Sequence, residues 1–164
     1  LAALAGGCSR VILADLVPEK LALFAGNPAV TTVDVRQASL ADTVREATDG
    51  WGADIVFEAS GSMRAYDNIV DLLCPNGCLV LVGMPPGHVP FDIVAIQAKE
   101  VRIESVFRYA NIFPRAIALL ASGKIDVQPF ISRTFGFADG VQAFEEAAKG
   151  HPHDVKIQIA LTGD

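Results

Sequence analysis

A chain of 164 residues, half of them hydrophobic, can bury one core of ordinary domain size, which excludes disorder. Its formal charge of -6 is spread along the chain without a run of Lys or Arg, which argues against nucleic acid and anionic membrane and favours a small-molecule partner. No apolar stretch approaches the roughly 20 residues that span a bilayer, and the opening LAALAGGCSR has no basic leader, so neither a membrane span nor a signal peptide is expected and the sequence reads as cytoplasmic. Cys8, Cys74 and Cys78 lack zinc-knuckle spacing and are expected to be buried free thiols, which suits a reducing compartment.

In chain order, Leu1 to Ala5 reads as the end of a helix stopped by Gly6-Gly7. A strand follows over Val11 to Asp15, then a helix over Pro18 to Ala25 with Pro18 in its first turn, where a missing N–H costs nothing. Val30 to Asp34 is the next strand, and Leu40 to Thr48 the next helix, with Ser39 as its cap. Ala53 to Glu58 is a strand, Met63 to Leu73 a helix, Cys78 to Val82 a strand, Phe91 to Lys99 a shorter helix and Val101 to Phe107 a strand. A helix over Ile112 to Ala121 ends at Gly123. The tail gives a strand over Ile131 to Phe135, a helix over Val141 to Lys149 and a strand over Val155 to Leu161. Strands recurring at the length of one βα unit, the early ones continuously apolar, predict an α/β fold with a doubly wound parallel sheet of Rossmann type, covered on both faces. The tail need not belong to that sheet. Val101 to Phe107 alternates apolar and polar residues, as an edge strand does, and exposed edges invite pairing with another copy.

Asp15 carries the strongest chemical signal. In doubly wound sheets ligands bind at the carboxyl ends of the strands, and an acidic residue ending the second strand accepts the ribose hydroxyls of an adenosine. The same charge repels a 2′-phosphate, so NAD is favoured over NADP. The competing reading makes Asp15 only a turn residue. Lys20 lies within reach of the ribose edge or the adenine, or is simply a solvated helix-face Lys. A GxGxxG loop should stand about 20 residues before such an Asp, and counting back from Asp15 runs off the chain. Leu1 is therefore expected to lie within the first helix, with the first strand and phosphate loop upstream. In the order 3-2-1-4-5-6 that strand is the middle one, so the sheet should fall into two parts. Such a piece should not fold alone, and the molecule should contain the upstream half.

Other strand ends carry small residues where a ligand needs close backbone approach, Gly61 in FEASGS and Gly83 in LVLVGMP, each equally readable as a turn glycine. Arg108 and Tyr109 follow the sixth strand, Arg108 competing with a reading as a surface ion pair. His88 lies in a Pro/Gly loop, and Pro152 fixes the backbone between His151 and His153, a poor ligand pair, so no metal is expected on this chain. The Asp and Glu of the helices are taken as solvated.

The stretches ADL…K, FEASGS, LVLVGMP and VFRYANIFPRAIALLASGKIDVQPFISRTF resemble the C-terminal half of the zinc-dependent medium-chain sorbitol, xylitol and L-iditol dehydrogenases. The resemblance runs from Leu1 to about Leu161. It implies a Rossmann domain over residues 1–123 and, over 124–164, a segment returning to a GroES-like catalytic domain. It implies NAD-dependent oxidation of a polyol of the xylitol or sorbitol class to the ketose. Asp15 and Lys20 would hold the adenosine ribose, Val82, Gly83, Met84, Val106 and Phe107 would line the nicotinamide end, and Arg108 and Tyr109 would contact the polyol, Arg108 the cofactor as well. The catalytic zinc would be held by residues outside this chain, which contributes no catalytic residue and alone would be inactive. Edge pairing across a two-fold axis would give a homo-oligomer. Two other classes stay open: an S-adenosylmethionine-dependent methyltransferase, whose sheet ends in an antiparallel strand, and a non-catalytic dinucleotide sensor.

Overall fold

The computed structural model describes residues 1–161. Alternating apolar runs and amphipathic segments give helix α1 (Ala2–Ala5), strand β1 (Val11–Asp15), α2 (Pro18–Ala22), β2 (Val30–Asp34), α3 (Leu40–Ala47), β3 (Ala53–Glu58), β4 (Leu73–Leu81), α4 (Ile93–Ala98), β5 (Arg102–Ser105), α5 (Phe113–Ala121), β6 (Ile131–Gly136), α6 (Gly140–Lys149) and β7 (Lys156–Ala160). The chain divides into two units, Ser39–Ala110 and the described residues of Leu1–Ala38 with Asn111–Asp164.

In the second of these, β1 and β2 pair in parallel from Val11↔Val30 to Asp15↔Asp34. Pro18 opens α2, which is shorter than its sequence suggests and passes into turns at Phe24 and Ala25. β6 and β7 form a parallel pair of their own, separate from the other strands. The Arg133 guanidinium on β6 clasps this segment, pairing with Glu146 of α6 at 2.9 Å and forking onto Asp154. Glu146 also pairs with Lys149. It is a member of this cluster rather than a solvated helix residue, and Lys149 and then Arg133 hold its carboxyl down at about 2.

The other unit holds a parallel sheet in the order β3-β4-β5. Central β4 supplies Leu73 and Leu79, the most deeply buried side chains, and Ile69 and Val70 complete the core with Val56, Leu81 and Ile96 against it. Ser39 caps α3, accepting from Asp42 N at 3.2 Å, and Asp92 caps α4, accepting from Ala95 N at 2.9 Å. The helix expected over Met63 to Leu73 is instead two 3-10 turns, Met63–Tyr66 and Ile69–Leu72. Asp67 is extended and Asn68 is left-handed at φ 57°, a conformation Asn tolerates, and the break lets Tyr66, Ile69 and Val70 all be buried. β4 begins at Leu73 and not at Cys78, with the pairing to β3 interrupted between Ala53 and Ile55. Exposed Ile55 and Phe57 show that the expected cover on both faces of β3 is incomplete among the described residues. β1-β2 and β3-β4-β5 are not hydrogen-bonded to each other among the described residues. The parallel pairing of β4 with β5 is not the antiparallel end strand that the methyltransferase alternative requires. No described helix is long and apolar enough to cross a membrane. Cys74 and Cys78 are buried free thiols, whereas Cys8 is only half-buried.

Candidate functional site

Two groups of strand ends carry the candidate residues, one in each unit. In the first, Asp15 and Asp34 end β1 and β2 as register partners. Their surroundings differ. Asp34 is neutralised by Arg36, whose Nε and Nη2 lie 3.0 and 2.7 Å from its two oxygens, with Gln37 adding a bond at 3.0 Å. Arg36 holds this carboxyl down at about 2. Asp15 accepts from Val17 N at 2.9 Å and makes no ion pair among the described residues. It thus plays a turn role, through one of its two oxygens. Half-buried Lys20 lies on α2, five residues beyond Asp15. The sequence reading overlooked the Asp34–Arg36 pair, although an acid at a strand end followed by Arg two residues on was a legible signal.

In the unit Ser39–Ala110 the ends of β3, β4 and β5 are tied together. Val82 N and Gly83 N both donate to the Glu58 carbonyl at 2.8 Å, and Val106 N donates to Leu81 O at 2.9 Å. A side chain on Gly83 would begin 2.3 Å from Gly61 N, so only glycine fits there. Gly61 adopts φ 66°, which favours glycine as well. Val82, Met84, Val106, Phe107 and Tyr109 are exposed apolar or aromatic residues on these ends. The Arg108 guanidinium lies over the Phe107 ring, 4.9 Å from its centroid, and makes no ion pair among the described residues. The sequence also missed Glu58, a buried carboxylate bonded to Ser60, Gly61 and Tyr66.

Among the described residues no group of three His, Cys, Asp or Glu side chains could hold a metal ion. His151 and His153 stack at 5.7 Å, and His151 Nε2 lies 3.4 Å from Glu146. These residues do not fit a zinc centre, and no step of chemistry is assigned to a metal on this chain.

The family model of zinc-binding dehydrogenases matches residues 1–122. A protein of Agrobacterium fabrum is 52% identical over 161 residues, covering 98% of this chain and 46% of its own length. The D-xylulose reductase of Morganella morganii is 49% identical over 150 residues, covering 90% of this chain and 44% of its own. An alcohol dehydrogenase of Escherichia coli, solved in complex with cofactor NADH, superposes with a TM-score of 0.82 at 25% identity, over 93% of this chain and 44% of its own. The chain thus spans about half the length of the relatives it matches. By the match over its first 122 residues, the chain belongs to the zinc-binding dehydrogenase family.

Proposed function

We propose that this chain forms the cofactor-binding part, and a portion of the substrate-binding part, of an NAD-dependent polyol dehydrogenase that oxidises a polyol of the xylitol or sorbitol class to its ketose. The observation that carries the reading is the unneutralised carboxylate of Asp15 at the carboxyl end of β1, beside the fully paired Asp34. A free carboxylate at this position accepts two ribose hydroxyls and repels a 2′-phosphate, which selects NAD. The likeness to a D-xylulose reductase supports the substrate class.

In this reading Asp15 and Lys20 hold the adenosine ribose. Val82, Gly83, Met84, Val106 and Phe107 give the nicotinamide end apolar contacts and close backbone approach. When bound, the dinucleotide supplies the acceptor for a hydride from the carbinol carbon. Arg108 and Tyr109 donate hydrogen bonds to the polyol, Arg108 to the cofactor as well, and the Phe107 ring beneath Arg108 restrains the guanidinium for that task. Zinc belongs to ligands outside this chain. Residues 1–123 form the dinucleotide-binding domain and 124–164 the segment belonging to the catalytic domain. Edge strand β5 makes the enzyme a homo-oligomer, and it works in the cytoplasm, where its thiols stay reduced.

Assaying the full-length enzyme against a polyol panel with NAD and NADP tests the reading. Oxidation of xylitol or sorbitol with NAD is expected. NAD binding with no polyol oxidised would replace it with a dinucleotide sensor.

A further inference from the structure

We infer that Glu58 is a positioning residue that holds the 82–84 turn in the form that receives the nicotinamide end of the cofactor, an inference resting on the role proposed above for Val82, Gly83 and Met84. Glu58 is 3% exposed and is the one buried charged residue among those described. A carboxylate out of water persists only where its oxygens are occupied. Glu58 Oε1 accepts from Ser60 N at 2.8 Å, from the Ser60 hydroxyl at 2.5 Å and from Gly61 N at 3.1 Å. The Tyr66 hydroxyl stands 3.1 Å from Oε2. Among the described residues no cation pairs with it, so neutral donors alone hold it.

The same residue grips the next strand end through its main chain. Its carbonyl accepts from both Val82 N and Gly83 N at 2.8 Å. The side chain therefore fixes the 60–61 turn while the main chain fixes the 82–83 turn. Gly83 is pressed against this junction, where a side chain would begin 2.5 Å from Glu58 Oε2. Tyr66 braces it from a third direction. Its hydroxyl also lies 3.4 Å from Gly83 O, its ring packs edge-on to Phe91 at 5.8 Å, and burial followed by the Glu58 contact pushes its phenol up, which keeps the donor protonated. Val82 and Met84, by contrast, are 46% and 72% exposed. The turn offered to a ligand is held from beneath, not by packing of its own side chains.

Binding of NADH and of ADP-ribose, which lacks the nicotinamide, to the full-length enzyme tests this. Wild type is expected to bind NADH about tenfold or more tighter than ADP-ribose. Equal affinities would overturn the role of residues 82–84 and the inference with it. In Glu58→Gln, NADH affinity should fall about tenfold with ADP-ribose affinity unchanged. Where wild type discriminates, an equal fall for both ligands, or a lowered Tm with both affinities unchanged, would overturn the positioning role while leaving the turn's own role standing. Should that variant fail to fold, Tyr66→Phe decides, since it keeps the ring and removes one donor. A fall of about threefold for NADH alone supports the inference, and unchanged NADH binding overturns it.

Discussion

Asp15 and Asp34 end adjacent parallel strands as register partners, yet a guanidinium neutralises Asp34 and none neutralises Asp15 among the described residues. In the cofactor role proposed for Asp15, its charge is the one that a 2′-phosphate would meet. In the full-length enzyme, Asp15→Ser should weaken NAD and improve NADP, each tenfold change in kcat/KM corresponding to about 1.4 kcal/mol. An unchanged ratio of the two kcat/KM values would remove Asp15 from the cofactor site.

The stacking of Arg108 on Phe107 predicts a substrate effect without a folding effect. Arg108→Ala should raise KM for polyol or lower kcat by an amount fitting one lost polar contact, about 0.5 to 1.5 kcal/mol, with Tm unchanged. Steady-state kinetics at saturating NAD check it. Wild-type constants would return Arg108 to the surface.

Gly83 has no room for a methyl group, its Cβ position falling 2.3 Å from Gly61 N. Gly83→Ala should therefore cost about 1 to 3 kcal/mol of stability through backbone displacement. It should also weaken NADH more than ADP-ribose. Thermal unfolding and ligand titration report the two effects separately.

How much of this was legible beforehand depended on how local the cause was. β1, β2 and β3 have the bounds their apolar runs give, and the cap at Ser39 followed from its neighbours in sequence. The segment 63–73 misled because its apolar spacing fits a helix, while burial of Tyr66 and Ile69 on either side of left-handed Asn68 favours two short turns. The place of Asp15 at the end of β1 was legible because a strand-ending acid is a local pattern. Glu58 was not, because its meaning lies in Tyr66 and in Gly83, 25 residues further along the chain, which pairing alone brings near. Glu146 was missed for the same reason: its partner Arg133 sits on another element.

The Arg133 clasp predicts an acid response. Lys149 and Arg133 lower the Glu146 carboxyl from its ordinary 4.5 to about 2, so the native state resists protonation more than the unfolded chain does. The stabilisation is then fully present above about pH 4.5 and lost as the pH falls toward 2. Urea unfolding of wild type and Arg133→Ala should show a gap at neutral pH that narrows across this window. A gap independent of pH would show that the ion pairs contribute nothing.

The exposed residues of β5, at the edge of its sheet, predict assembly. Light scattering of the full-length enzyme at micromolar concentration should give a dimer or tetramer. A monomeric mass would refute the oligomer.

The place of β4 between β3 and β5 has a consequence in time. Its main-chain groups are bonded on both sides, and Leu79 within it is fully buried. Parallel neighbours are never local in sequence, so each pairing must wait for the segment between them to close into a loop. This strand should be completed late in folding and, once formed, be the last to open. In deuterated water the amide protons of Leu79 and Val80 should therefore persist long after those of Glu104 and Ser105 have exchanged.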